Sequence, residues 1–362
     1  MKIKASLILT VAALALSGSA LAEVKIALVA KSLGNGFFEA ANVGAQEAAK
    51  ELGDVKVIYT GPTTTTAEAQ IEVLNGLIAQ GVDAIAISAN DPDAVVPVLK
   101  KAMQRGIKVV SWDSGVAKAG RQIHLNPSNN ALIGETNVKL AADALKALNV
   151  EKGDVAVLSA TPTSTNQNTW IAEMKKVLPK YPSVNLVTVA YGDDLSDKSY
   201  REAVGLLKTY PELKVIVSPS SVGIVAAAQA VKDQGKIGKV YVTGLGLPSE
   251  MAGAVKSGAS KSFAIWNPID LGYAATYLAD DLVKGTATKG EASMGRLGKV
   301  KLDADGNGAM AEPFVYDASN IDKFSKSFDA ICRPDKRSAI RQKAGGAAAY
   351  PPYKFLCPGE LS

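Results

Sequence analysis

Cysteine is almost missing from this chain. It occurs twice in 362 residues, as Cys332 and Cys357, both close to the C-terminus. The long body before them has none, so a hydrophobic core must hold it together without disulfide staples. Two cysteines without further clustering do not make a structural zinc site on their own. Histidine is scarcer still, with His124 alone. There is also no Gly-x-Ser-x-Gly elbow, no His-rich helix and no cysteine nucleophile in the body, so the common hydrolase constellations are lacking. Net charge is only +5 and is spread along the chain, too weak and diffuse a pattern for nucleic-acid binding. No apolar run reaches the roughly 20 residues a membrane span needs. Aromatics make up 6%, which makes their positions informative.

What is present points to an exported globular protein. A composition 47% hydrophobic and 21% charged suits a packed core, and the length allows two domains of ordinary size. Lys2 and Lys4 precede an apolar run over residues 5–16, and Ala20, Leu21 and Ala22 give a small-x-small pattern. These are the parts of a secretory signal peptide, with cleavage expected before Glu23. Export places the chain where the two tail cysteines could pair.

From residue 24 the chain alternates. After Val24 and Lys25, residues 26–30 are a continuous apolar run, the pattern of a parallel strand covered on both faces. Lys31 stops it, and a loop with Gly34, Asn35 and Gly36 leads through Phe37 and Phe38 into a helical pattern. Strand patterns recur at 55–59, 84–89 and 107–111, each separated by a helix, and the last delivers Trp112, Asp113 and Ser114 to its tip. Such alternation specifies a doubly wound parallel sheet. Residues 124–130 (HLNPSNN) interrupt the rhythm and read as a crossing. A second series follows, with strands expected at 155–159, 185–190, 215–218, 240–243 and 262–265, the last ending in Trp266 and Asn267. Two such series imply two similar lobes. The helix near 271–283 is expected to return to the first.

Each motif also has a plain reading. The Gly34-Asn35-Gly36 loop lacks the third glycine of a dinucleotide fingerprint, because Glu39 stands there. The segment from Asp303 to Gly308 imitates the start of an EF-hand loop, but its twelfth position is Phe314, so a turn is expected. Asp91 precedes Pro92 and suits a helix N-cap as well as a ligand contact. Ser220, Ser221, Ser164 and Thr165 can cap helices, Lys31 can be solvated, and Phe37, Phe38, Trp112, Trp170 and Trp266 can be core. Their joint placement favours a site: all three tryptophans fall at strand tips or in the helix openings just beyond. Ligands of open α/β sheets bind beyond the carboxyl ends of the strands. Aromatic faces beside carboxylate, amide and ammonium groups suit a sugar, with rings against C–H patches and polar groups on hydroxyls.

The motifs VAKSLGNGFFEAA, AISANDPDA, VVSWDSG, TSTNQNTWI, IVSPS and FAIWNPIDLGY together resemble the periplasmic solute-binding proteins of sugar ABC importers. Within that family they are most similar to the rhamnose-binding branch, which is itself similar to the autoinducer-2 receptor. The resemblance spans residues 23–328. It implies the type I periplasmic binding protein fold, two lobes joined by a three-stranded hinge that close on a ligand. Against the receptor's pattern, the matching ligand positions are Lys31, Asp113, Asn166, Gln167, Pro219 and Ser221. Asn166 and Asn267 stand where the receptor has aspartate, and Ser221 where it has alanine. Losing two carboxylates argues against autoinducer-2 and for the rhamnose branch.

The expectations are therefore as follows. Residues 1–22 are a signal peptide, 23–125 with 267–300 form the N-terminal lobe, 126–266 with 301–328 the C-terminal lobe, and 329–362 a poorly ordered extension. Crossings are expected near 124–128, 265–268 and 298–302. The ligand-binding set is Lys31, Phe37, Phe38, Asp91, Asp113, Asn166, Gln167, Trp170, Pro219, Ser221, Trp266 and Asn267. No cofactor, metal or catalysis is expected. The partners are a small sugar, with L-rhamnose placed first, and the permease and ATPase subunits of an ABC importer, reached by a periplasmic monomer. An autoinducer-2 or chemotaxis receptor is the alternative, and an exported sugar-acting enzyme a third. Repressors of this architecture would carry a DNA-reading domain where this chain has its signal peptide.

Overall fold

A computed structural model describes residues 23–288 and 290–328. The expected signal peptide, both cysteines and the C-terminal extension lie outside the described residues. The first series is β1 (Val24–Val29), α1 (Gly36–Leu52), β2 (Val55–Thr60), α2 (Ala67–Gln80), β3 (Ala84–Ile87), α3 (Val96–Gln104), β4 (Lys108–Trp112) and β5 (Ile123–Ser128). Its strands are parallel, in the order β2-β1-β3-β4-β5. Ile26 to Val29 and all of β3 are buried, which accounts for their unbroken apolar runs: helices cover both sheet faces. Register sets the ends. Val29 lies opposite Thr60 and Ile87, and Ile87 opposite Ser111, so the segments after β1, β3 and β4 emerge at one edge.

The second series is α4 (Asn130–Ala147), β6 (Gly153–Ser159), α5 (Thr165–Val177), β7 (Val184–Tyr191), α6 (Ser196–Thr209), β8 (Leu213–Ser218), α7 (Ser221–Asp233), β9 (Tyr241–Gly244), α8 (Pro248–Ser257) and β10 (Ser262–Ile265). It builds a parallel sheet in the order β7-β6-β8-β9, continued to β10 by a bridge between Leu245 and Ala264.

Helix α9 (Pro268–Lys284) then returns to the first lobe and lies on α1. The two backbones touch. A Cβ on Gly44 would come 1.7 Å from the Ile269 carbonyl oxygen, and one on Gly272 would come 1.9 Å from that of Ala41. A short hairpin follows, β11 (Glu291–Ser293) with β12 (Lys299–Lys301). Next, β13 (Asn307–Ala311) adds to β5 in parallel, and β14 (Phe314–Asp317) pairs antiparallel with β10 before α10 (Ile321–Phe328).

Three strand connections therefore join the lobes, at Asn129, at Trp266 with Asn267, and at Glu312 with Pro313. Two expectations need correction. The segment 124–128 is not itself a crossing but the body of β5. Pro127 is tolerated because pairing with β4 ends at Leu125, where a missing donor costs no ladder bond. The third crossing is not at 298–302, since β12 folds back on β11 and β13 still belongs to the first sheet. Residues 301–311 thus stay with the first lobe rather than the second.

Candidate functional site

Lys31 follows β1 and is only 2% exposed. A buried ammonium is costly unless paired, and this one has two partners from the other lobe. Its Nζ donates to Ser164 Oγ and to Asp194 Oδ2, both at 2.9 Å. The loop under it is knitted by Gln70, fully buried, whose Nε2 donates to the carbonyls of Ala30 (3.1 Å) and Ser88 (2.8 Å). Asn90 adds a bond from Nδ2 to the Lys31 carbonyl at 2.8 Å. Asn35 caps α1, its Oδ1 accepting from the Phe37 N–H at 3.0 Å, which sets both phenylalanines on the helix's first turn.

Asp113 leaves the tip of β4 in the left-handed region, with φ of 56°. Aspartate enters that region more readily than most side chains, and the bonds to its carboxylate fix it there. Its Oδ2 accepts from Ser88 Oγ (2.9 Å) and its Oδ1 from Asn166 Nδ2 (3.0 Å) across the cleft. Burial pushes its carboxyl up to about 6, opposed by Lys31 and by the bonds from Ser88 and Asn166.

The second lobe supplies the facing wall. Asn166 Oδ1 accepts from Ser164 Oγ (3.0 Å) and from the Gln167 N–H (2.8 Å), so its amide nitrogen is the atom turned towards Asp113. Gln167 Oε1 accepts from Ser159 Oγ and the Ala160 N–H, both at 2.8 Å, which leaves its NH2 group towards the cleft. Asp194, whose side chain is 7% exposed, accepts from Lys31 and, through Oδ1, from Ser220 Oγ at 2.6 Å.

Aromatic rings close the remaining side. Phe37 meets Phe38 and Trp266 edge-on, with centroids 5.3 and 6.3 Å apart, and Trp170 lies 5.5 Å from Trp266. Trp170 Nε1 donates to Asn130 Oδ1 at 2.9 Å. Trp266 Nε1 is buried without a partner among the described residues, a donor with unused capacity.

These groups enclose one cavity. It is lined by Lys31, Phe37, Phe38, Asp113, Asn166, Gln167, Trp170, Pro219, Ser221 and Trp266, together with Asn35, Asp194, Ser220, Leu245 and Ile265. Its free volume is about 30 Å³, room for roughly two waters, so the lobes stand closed and a larger solute enters only when they part. Two expected residues are not there. Asp91 Oδ1 accepts from the N–H groups of Asp93 and Ala94, both at 2.9 Å, so it serves its own turn. Asn267 is exposed and caps α9 through the Ile269 N–H at 3.0 Å. Trp112 is core, packed 5.7 Å from Phe38. Asp194 was missed, although it lies just past the end of β7, the same kind of place that marked the others.

A family model described as periplasmic binding protein domain matches residues 26–287. The chain belongs to that family. Within it, the periplasmic binding proteins that resemble it are the sugar-binding components of ABC transporters, which carry solute and catalyse nothing. The D-ribose/D-allose-binding protein of Pseudomonas aeruginosa is 30% identical over 61% of this chain and 70% of its own length. An ABC-transporter solute-binding protein of Clostridium phytofermentas, solved with bound L-rhamnose, is 38% identical, with a TM-score of 0.78 over 84% of this chain and 98% of that one. LsrB of Clostridium saccharobutylicum, in complex with AI-2, is 25% identical, with a TM-score of 0.79 over 83% of this chain and 99% of that one. The fold is thus the two-lobed, parallel-sheet type I architecture of periplasmic binding proteins.

A second cavity of about 350 Å³ lies on the hinge side and shares Asp113 and Asn166 with the first. Its polar walls are already engaged. Arg121 donates to the Val116 and Asp305 carbonyls and to Asn307, and His124 bonds Ser111 and Asn126. Burial, with Arg121 nearby, pushes the imidazole down to about 4, so it is neutral at ordinary pH. The Asp303 loop is a turn: Asp303 accepts from Asp305 and Asn307, and Asp305 pairs with Lys118. Among the described residues no three His, Cys, Asp or Glu side chains converge as a metal site, and no helix is long and apolar enough to cross a membrane.

Proposed function

We propose that this periplasmic binding protein captures L-rhamnose between its lobes and delivers it to the permease and ATPase subunits of an ABC importer. It does so in the periplasm, after removal of the signal peptide at residues 1–22. The observation that carries the choice of sugar is the 38% identity, across nearly the whole described body, to the Clostridium phytofermentas protein that holds L-rhamnose. The chemistry of the cleft agrees. Phe37, Phe38, Trp170 and Trp266 offer an apolar surface for the methyl group and C–H faces of a deoxyhexose. Asp113, the Gln167 amide and the Trp266 N–H offer an acceptor and two donors for its hydroxyls.

A second reading, autoinducer-2 capture, is favoured by the likeness to LsrB. Against it, Asn166 presents an amide donor to the cleft where the receptor's pattern has a carboxylate acceptor. Thermal melts with L-rhamnose, D-arabinose, D-ribose and autoinducer-2 separate the readings. Ligand at a hundred times its dissociation constant adds roughly 2.7 kcal/mol to the stability. A shift with rhamnose alone supports the first reading; a shift with autoinducer-2 alone overturns it in favour of the second.

A further inference from the structure

Three charged side chains line the central cavity: Lys31, Asp113 and Asp194. The cation is outnumbered by carboxylates and is itself committed. Its ammonium already donates to Asp194 and Ser164. Asp194 in turn is held on both oxygens, by Lys31 at 2.9 Å and Ser220 at 2.6 Å. Asp193 and Asp194 are consecutive residues with φ of 57° and 53°, a conformation uncommon outside glycine that aspartate tolerates better than most side chains. Its neighbour is also tied across the cleft, since Thr65 Oγ1 donates to the Asp193 carbonyl at 2.8 Å. A backbone this constrained, with its carboxylate directed into a buried cleft, is the pattern of a residue whose position matters to the site.

Resting on the reading of the cleft as a sugar site, we propose that Asp194 is a ligand-contacting residue that makes the site select neutral sugars against anionic ones. It has two tasks. Each carboxylate oxygen keeps lone-pair capacity beyond its present bond, so Asp194 accepts a sugar hydroxyl when the lobes close on the ring. It also cancels the charge of Lys31. A uronic acid entering the cleft meets two carboxylates and no uncommitted cation, and a like charge placed in a water-poor cavity is strongly disfavoured. Without Asp194, Lys31 loses its directly bonded anion and keeps only the more distant charge of Asp113, and a sugar acid supplies a new partner.

The test is calorimetric titration of the purified full chain and two variants with L-rhamnose, D-galacturonate and D-glucuronate. Asp194→Asn keeps the shape and removes the charge. Asp194→Gly removes the side chain at a φ that glycine adopts freely, so its folding is not at risk from the backbone; thermal melts confirm that both variants fold. Wild type is expected to bind rhamnose and neither uronate. Both variants are expected to lose rhamnose affinity about tenfold to a hundredfold, the range for a hydrogen bond to a charged group. Asp194→Asn is expected to gain measurable uronate binding, which a merely structural residue would not produce. Rhamnose affinity within twofold of wild type in both variants overturns the inference. Rhamnose loss without any uronate gain overturns the charge selection. A wild-type protein that binds no neutral sugar overturns the sugar reading itself, a result distinct from both.

Discussion

Replacing Asp113 by Asn should make the protein more stable and less able to bind sugar. The carboxyl titrates near 6 in the folded protein against an ordinary 3.8, chiefly because it is buried. The folded state thus holds the proton more tightly than the unfolded chain. Between pH 3.8 and 6 the unfolded chain carries fewer protons, so stability falls as pH rises through that window. Above it the ionised group costs the difference of about two pH units, or roughly 3 kcal/mol at 1.36 kcal/mol per unit. Asn mimics the neutral acid. Its Oδ1 can keep the bond from Asn166, and its amide can donate to Ser88, whose hydroxyl rotates to accept. Lys31 retains Asp194. For a body of this size the gain corresponds to about 5 °C in melting temperature. Melts in the absence of ligand at pH 8 and pH 4 make the assay. The variant should melt higher at pH 8, and the advantage should shrink towards zero at pH 4, where wild-type Asp113 is already protonated. A variant that melts lower at pH 8, or an advantage independent of pH, would refute the reasoning. Titration with rhamnose should show binding lost, since a hydroxyl donor no longer finds a charged acceptor.

Other outcomes follow from the same geometry. Trp266→Phe keeps a ring in the aromatic wall and deletes a buried N–H that has no partner among the described residues, so it should leave the melting temperature nearly unchanged and weaken rhamnose binding about fivefold to tenfold by calorimetry. Gly272→Ala drives a methyl group to 1.9 Å from the Ala41 carbonyl oxygen and should destabilise by roughly 1–3 kcal/mol in urea, because α1 and α9 must move apart. In solution scattering, the radius of gyration at saturating rhamnose should match that of the closed arrangement, because a ligand that touches Lys31 and Asp113 on one lobe and Gln167 on the other keeps these contacts together only while the lobes are closed; a larger value would count against it.

Much of the architecture was legible because it rests on local patterns. Five consecutive apolar residues, 26–30, followed by a lysine read as a buried strand that ends at a functional edge, and β1 with Lys31 is that. The Trp112-Asp113 pair at the end of β4 was equally plain in outline, although the structure turns the indole into the core and only the carboxylate into the cleft. The misreadings share one cause. Asp91 and Asn267 sit at element boundaries, where an Asx side chain caps a turn or helix as readily as it meets a ligand, and only the fold shows which N–H groups lie within reach. Asp194 was hidden for the opposite reason: two aspartates after Gly192 look like an exposed turn, and the buried ion pair of Asp194 depends on a lysine 163 positions earlier. The third crossing escaped because β12, β13 and β14 are short, and their pairing with β11, β5 and β10 is set by partners distant in sequence, not by periodicity.

The central claim is that the cleft between the lobes holds L-rhamnose. Calorimetric titration of the purified wild-type chain with L-rhamnose tests it most directly, run beside Asp113→Ala as a folded control. The account predicts saturable binding at one sugar per chain in the wild type and none in the variant. Saturable binding that survives Asp113→Ala unchanged, or no heat with rhamnose while another solute binds, would contradict it.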